Sequence, residues 1–302
     1  MVEREVTVVS WNIDGLDRGY LQLRVKAQCD ILLEEKVDVI LLQEVVPESY
    51  EIIKKQLGGL YRLLNSCDFF IQAGYEPPSY FNVIGYKKST MKRVGNPELE
   101  RFSERGDHRH ILSTTLFLKN SPSKYSSIYI STSHLQSSKE ASQTRIKQYK
   151  MVLDDILDHT IGDNHASIAV FGGDTNLRDP EAVSTLSEYK NTICDCWEQV
   201  CPEDDKETKY TWDLVRNKNS AIASRFKMRT RFDRMNYTSC KTCCSEWIPI
   251  FWKLIGTKRL SSIQLHPSDH FGIYCTFLLL PDENEEQNLM QQPQSHEVID
   301  LT

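Results

Sequence analysis

Apolar positions along this chain come in two spacings. Short runs rich in β-branched, aromatic and aliphatic residues predict seven β-strands: Thr7 to Trp11, Val37 to Val45, Tyr80 to Tyr86, Ile111 to Leu118, Ser127 to His134, Ser167 to Gly172 and Phe271 to Leu280. Leu21, Val25, Cys29, Leu32 and Leu33 recur at helical spacing, as do Ile146, Tyr149, Val152, Leu153, Ile156 and Leu157. Each of these segments predicts a helix with one apolar face, suited to covering a sheet. No repeat of solenoid period is present, so one α/β domain accounts for the pattern. From Pro281 onward apolar residues thin out and Glu, Gln and Asn take over, a composition that cannot offset the entropy of ordering. Residues 1–280 are therefore expected to form the folded domain and 281–302 a disordered tail. That tail nevertheless closes on Glu297-Val298-Ile299-Asp300-Leu301-Thr302, a short β-prone apolar patch.

With 40% hydrophobic and 26% charged residues among 302, the chain can bury a sizeable core behind a solvated surface. No uncharged apolar run reaches the roughly 18 residues of a membrane span, and the opening residues lack a basic segment followed by an apolar one. The expected location is the nucleus, with some protein in the cytoplasm, and no membrane partner. Nine cysteines, an odd count without a secretory leader, fit reduced thiols. Cys240-x-x-Cys243-Cys244 and Cys194-x-Cys196 have the look of zinc half-sites. Nothing in the sequence brings them together, so buried or loop thiols are the default reading. The net charge of −6 argues against a polyanion binder that works through bulk charge, and any nucleic-acid contact must be local. One segment reverses the sign. Residues 216–234 offer Arg216, Lys218, Arg225, Lys227, Arg229, Arg231 and Arg234 against a single acid, Asp233, with Phe226 and Phe232 between the charges and Trp212 just upstream. Phosphate contacts beside an aromatic platform would suit a single-stranded end; a solvated loop with Phe232 in the core is the ordinary alternative.

Four polar constellations fall at predicted strand ends, where α/β sheets usually place their sites. Ser10-Trp11-Asn12-Ile13-Asp14-Gly15 follows the first strand and Gln43-Glu44 closes the second; Gly172-Gly173-Asp174-Thr175-Asn176 follows another and Ser268-Asp269-His270 precedes the last. A hard divalent cation takes oxygen ligands, so Glu44, with Asn12, Asp14 and Asp269 near it, suits Mg²⁺, or Mn²⁺ in its place, better than zinc. Taken singly, each piece has a plain structural reading: a turn for Gly-Gly-Asp, an Asx cap for Asn12, a surface carboxylate for Glu44, a hydrogen-bonded structural histidine for His270.

In this order the four resemble the endonuclease/exonuclease/phosphatase family, whose motifs run W-N, Q-E, G-D-x-N and S-D-H. The resemblance covers roughly residues 5–280 and implies a DNase I-like four-layer α/β/β/α sandwich with two central mixed β-sheets. The fuller strings at 11–17, 42–45, 173–179 and 267–270, with Thr132-Ser133-His134-Leu135, Tyr210-Thr211-Trp212-Asp213 and Arg231-Phe232-Asp233-Arg234, are similar to the branch of that family that cleaves tyrosyl–DNA phosphodiesters. This branch implies Mg²⁺-dependent hydrolysis of the bond between a DNA 5′ end and a trapped protein tyrosine, such as a topoisomerase II adduct, in DNA repair. It also implies roles. Glu44 would hold the metal with Asn12, Asp14 and Asp269; Asp174 would deprotonate water, with Asn176 in support; His270, oriented by Asp233, and His134 would face the phosphate. Arg178, Trp212, Arg231 and Tyr80 would contact DNA. Departures are Ser10 for the usual Thr, Gln136 for Glu and Phe271 for Trp, and 236–266 matches less well. The family's ubiquitin-binding segment, often placed before this domain, is not expected, since the first strand begins near Met1. Val298, Ile299 and Leu301, with Glu297 and Asp300, resemble a SUMO-interacting motif, an extended segment that adds to a sheet edge. Two rival expectations stand beside this one: another hydrolase of the family, such as an abasic-site endonuclease, a deadenylase or a phosphoinositide phosphatase, and a non-catalytic scaffold recruited through SUMO.

Overall fold

The computed structural model of the chain describes residues 5–102, 108–121, 126–161, 166–202, 205–240 and 246–280. In order these form β1 (Glu5–Asn12), α1 (Leu21–Glu34), β2 (Val39–Val45), α2 (Pro47–Leu57), β3 (Tyr61–Asn65), α3 (Ser66–Gln72), β4 (Phe81–Lys87), β5 (Met91–Arg101), β6 (His110–Leu118) and β7 (Ser127–Thr132). Then follow α4 (Ser142–Asp158), β8 (Ile168–Asp174), α5 (Asp179–Leu186), β9 (Cys194–Asp195), α6 (Cys196–Val200), α7 (Lys206–Lys209), β10 (Trp212–Asp213), β11 (Arg229–Thr230), β12 (Asp233–Ser239), β13 (Trp247–Ile255) and β14 (Gly272–Leu279). All seven expected strands and both expected helices are present. Cys243, Cys244 and the tail with Val298, Ile299 and Leu301 lie outside the described residues.

Two six-stranded mixed sheets make up the frame, one ordered β13-β14-β1-β2-β4-β3 and the other β5-β6-β7-β8-β12-β9. Each contains one parallel pair, β1 with β2 and β7 with β8, and antiparallel neighbours elsewhere. The parallel pairs are the two places where the chain must cross over with a helix, α1 in one sheet and α4 in the other.

Alternation along the strands assigns the layers. Val6 and Val8 of β1, Leu41 of β2, Ile128 and Ile130 of β7 and Ile168 and Val170 of β8 share one buried cluster between the sheets. The intervening Val9 and Trp11 join Val25, Cys29 and Leu32 of α1 on the outer face of the first sheet. Ala169 and Phe171 of β8 join Tyr149, Val152, Leu153 and Ile156 of α4 on the outer face of the second. Both faces of the central strands are thus covered, which is why they read as continuous apolar runs, and the result is the expected α/β/β/α sandwich. Gln43 is buried between the layers, its Nε2 donating to Ser10 Oγ at 3.1 Å and across the sandwich to Thr132 Oγ1 at 2.9 Å. The glutamine beside Glu44 therefore acts as a cross-link between sheets.

Four longer strands escaped the sequence pattern. β5 is an edge strand whose pairing slips between Val94 and Glu98, around Gly95-Asn96-Pro97, and most of its side chains meet water. β12 is polar in sequence yet central and buried, because its polar groups bond within the fold, as where Tyr149 Oη donates to Asn236 Oδ1 at 2.8 Å. β3 is short, and β13 carries Pro249 and exposed Ile250 and Phe251, which break the alternation. No helix among the described residues is long and apolar enough to cross a membrane.

Candidate active site

The carboxyl ends of the two parallel pairs meet at one edge of the sandwich. Asn12 ends β1, Glu44 lies at the end of β2, His134 follows β7 and Asp174 ends β8. His134 and Asp174 are held side by side by an isolated parallel bridge, with Leu135 N donating to Asp174 O at 2.9 Å. Arg109 secures the same corner by donating to the carbonyls of His134 and Leu135. β12 runs antiparallel to β8 and sets Asp233 opposite Asp174.

Asp174 is fixed from both sides: Asn12 Nδ2 donates to its Oδ2 at 2.9 Å and the Asn176 amide to its Oδ1 at 3.0 Å. His134 Nε2 lies 3.5 Å from Asp174 Oδ2 and 3.7 Å from Glu44 Oε1. His270 places Nδ1 2.7 Å from Asp233 Oδ2, leaving Nε2 3.8 Å from Asp174 Oδ2. Ser268 of the Ser-Asp-His string is structural. Its Oγ donates to Asn12 O at 2.7 Å and accepts the His270 amide at 3.0 Å, so it joins the first strand to the last. Three site residues, Asp14, Glu44 and Asn176, hold left-handed backbone conformations at φ 53°, 55° and 53°. Non-glycine residues there carry strain that surrounding contacts must sustain, a pattern concentrated at functional sites.

Burial raises the Glu44 carboxyl to about 7, with Asp174 and Asp269 adding to the rise and a hydrogen bond from Asn12 opposing it. Asp14 is pushed to about 8, first by burial, then by Asp269, with Arg24 opposing and Glu44 adding. Acids that raise one another in this way want a cation. Glu44, His134 and Asp174 each offer a ligand atom within 4.8 Å of the others, and Asp174, Asp233 and His270 do the same. The His270–Asp233 bond engages one of these groups; around Glu44, the Asn12 amide and the neighbouring carboxylates of Asp14 and Asp269 supply the oxygen ligands a hard divalent cation takes. His134, fully buried, is held neutral, its value lowered to about 3 by desolvation. For His270 burial also favours the neutral form, but Asp233, Asp174 and Asp269 outweigh it and hold the imidazole well above its ordinary 6.5.

The remaining expected residues divide. Asp14 and Asp269 stand near Glu44, yet an oxygen of each is engaged, Asp14 Oδ2 with Arg24 at 3.3 Å and Asp269 Oδ2 with Trp212 Nε1 at 3.2 Å. Trp212 leans on Phe232 with ring centroids 5.5 Å apart, Arg178 lies 5.6 Å over the other ring, and Phe232 is 6.4 Å from His270. These residues build an aromatic and cationic wall. Tyr80 faces His134 at 5.8 Å between centroids. Arg231 is 2% exposed, donating to Asp195 Oδ1 at 2.7 Å and Glu198 Oε1 at 3.1 Å and lying over Trp197, so its guanidinium is engaged by acids of this chain. Much of the basic run is spent likewise. Arg234 pairs with Asp179 and Asp195, Arg229 with Asp213 and Arg216 with Glu207, acids from elsewhere in the chain.

Glycine is required where backbones touch at the site. A Cβ on Gly173 would stand 2.2 Å from Ser133 O, and one on Gly15 2.1 Å from Glu44 O. Gly173→Ala should therefore force β8 away from the His134 corner, lowering stability by about 1–3 kcal/mol and activity by more than that loss alone explains. A thermal melt compared with turnover well below the melting temperature checks it; native turnover would show that Asp174 tolerates the shift.

A sequence profile of the Endonuclease/Exonuclease/phosphatase family matches residues 9–270. The chain is 34% identical over 275 residues to tyrosyl-DNA phosphodiesterase 2 of Xenopus laevis, covering 91% of this chain and 67% of that protein. It is 32% identical over 269 residues to the Homo sapiens protein of the same name, covering 89% and 67%. Among solved structures it is similar to Danio rerio tyrosyl-DNA phosphodiesterase 2 complexed with single-strand DNA product, at 32% identity and TM-score 0.78, covering 91% of this chain and 99% of that one. A Bacteroides vulgatus member of the family, at 15% identity and TM-score 0.68, shares the fold.

Proposed function

The chain belongs to the endonuclease/exonuclease/phosphatase family, among its tyrosyl-DNA phosphodiesterase 2 relatives, and from that premise we propose that it hydrolyses the 5′-phosphotyrosyl bond between DNA and a trapped protein, with Mg²⁺ as cofactor. The observation that carries this reading within the family is the Trp212–Phe232–Arg178 wall beside His270. A stacked base and its phosphate fit such a wall, and a lipid headgroup or a free sugar phosphate does not need it.

Asp174 is the general base. With both oxygens held, it takes a proton from a water, whose oxygen bonds to phosphorus as the bond from phosphorus to the tyrosine oxygen breaks. The products are a 5′-phosphate and a phenolate, which takes its proton from solvent. Charge gathers on the nonbridging oxygens in between, and two donors converge there: protonated His270 through Nε2–H, its Nδ1–H given to Asp233, and neutral His134 through Nε2. A divalent cation held by Glu44, with Asn12 and Asp14 nearby, would supply further positive charge to the phosphate and the departing oxygen. A phenol with a pKa near ~10 leaves readily, so a strong general acid is not needed.

DNA 5′ ends that are single-stranded or frayed are the favoured partners, with topoisomerase II-type adducts as the protein component, in the nucleus and also the cytoplasm. The tail, residues 281–302, is proposed to recruit SUMO-modified partners through Val298, Ile299 and Leu301; removing 298–302 should leave turnover intact and abolish SUMO binding.

The deciding experiment is release of a fluorogenic phenol from a 5′-DNA phosphodiester with Mg²⁺ and with EDTA, beside RNA and phosphoinositide esters. Turnover of the DNA ester that EDTA abolishes supports the reading; activity confined to RNA or lipid esters moves it to another hydrolase of the family. For the wall, Trp212→Ala should raise KM for the DNA ester about 10-fold or more, the worth of one stacked base, while leaving KM for a nucleoside-free aryl phosphodiester unchanged. Equal changes on both substrates would remove Trp212 from DNA recognition.

A further inference from the structure

We propose that Arg24, seconded by Gln28, is a positioning residue that sets the spacing between the loop that follows Asn12 and the loop that carries His270, an inference that rests on the roles of Asn12, Asp174 and His270 given above. Arg24 lies on α1 with its side chain 0% exposed. Its contacts use all five of the guanidinium's N–H donors. Nε donates to Gly19 O at 2.9 Å, Nη1 to Asp14 Oδ2 and Pro267 O, each at 3.3 Å, and Nη2 to Asp14 O at 3.0 Å and Asp17 O at 2.7 Å. One turn along the same face, Gln28 Nε2 donates to Ile13 O at 3.0 Å and Pro267 O at 2.6 Å.

These partners belong to two loops far apart in sequence, the one after β1 and the one before β14. From Pro267 the linkage continues into the site through Ser268, which bonds Asn12 O and the His270 amide, and Trp11 Nε1 donates to His270 O at 2.9 Å. A core position on an apolar helix face is ordinarily filled by a Leu, which costs nothing to desolvate. A buried guanidinium is costly unless every donor is met, and here the donors are met mainly by the backbone of the site loops. The loop it grips is strained, with Asp14 at φ 53° and Tyr20 at φ 52°, and strain of this kind persists only where contacts over-determine it. The planar fork reaches several acceptors at fixed angles, which a lysine ammonium with three donors cannot do.

The test uses Arg24→Lys and Gln28→Leu in the whole chain, with two readouts. On the 5′-DNA aryl phosphodiester, kcat should fall about 100-fold in R24K and about 10-fold in Q28L with KM within about threefold, as expected of sub-ångström misplacement. Independently of turnover, the downfield proton resonance of His270 Nδ1–H, assigned by its loss in Asp233→Asn, should shift or broaden in both. Cooperatively melting variants with native kcat and an unmoved resonance would reduce Arg24 to core packing and overturn the proposal. Should R24K fail to fold, Q28L carries both readouts. If the native chain turns over no aryl diester, the functional reading falls, and the resonance decides the inference alone.

Discussion

Asp174→Asn should lower kcat on a 5′-tyrosyl DNA ester by about four orders of magnitude while changing KM little, the upper range for loss of a positioned general base. The substitution is nearly isosteric, but it introduces an NH₂ where both oxygens now accept hydrogen bonds, from Asn12 Nδ2 and the Asn176 amide. One pair of donors must then face each other. Asn12 cannot turn to relieve this freely, because its Oδ1 accepts the Asp14 amide at 2.9 Å. A loss of about 1–3 kcal/mol of stability is expected from the buried mismatch, far less than unfolds a domain of this size. Single-turnover kinetics beside circular dichroism and a thermal melt make the measurement. A folded variant within tenfold of native kcat would sink the assignment of Asp174 as base.

Removing the imidazole comes next in size. His270→Gln should cost about 10²–10³ in kcat, the scale of a lost charge-stabilising donor, and Asp233→Asn should act through the same ring by releasing its proton. The sign follows from burial and charge. His270 is held above 6.5 because Asp233, Asp174 and Asp269 outweigh desolvation, so its proton is present at neutral pH and kcat should fall only as pH rises through that higher value. In Asp233→Asn the largest of these attractions is gone, desolvation regains ground, and the alkaline limb of the pH–kcat profile should move to lower pH. Stability follows the same rule: the stabilisation from the His270–Asp233 pair is complete below about 6.5 and is lost as pH rises through the folded value. A pH–rate profile of native and variant, with melts at matching pH, checks both. An alkaline limb unmoved in Asp233→Asn would show that His270 does not set it.

Much of the site was legible because its chemistry is carried by residue types that strands seldom need. Asn12, Glu44, Asp174 and His270 stand out as polar groups at or beside the ends of apolar runs, and a strand end is where a side chain can leave the core. The partners of Arg231 were not legible, for the opposite reason. Its run of cations looked unpaired, and the acids that neutralise it, Asp195 and Glu198, come from β9 and α6, with no local pattern to announce them. β12 was hidden because burial between two neighbours, rather than its own composition, makes it a strand. Arg24 and Gln28 left a trace: both fall on the apolar stripe of Leu21, Val25, Cys29 and Leu32, where a polar residue asks for a buried partner.

By itself, then, the sequence determined seven of the strands, the helices α1 and α4 that cover the two sheets, and which side chains have the acid, base and donor chemistry for a phosphodiester, because periodicity and residue type are local properties. The family resemblance implied Asp233 on His270; the tertiary structure alone decided the other pairings: Asn12 on Asp174, Gln43 across the sheets, and the distant acids on the basic run. Those depend on which strand ends meet, and a buried charge takes its protonation state and its role from the partner that the fold places beside it.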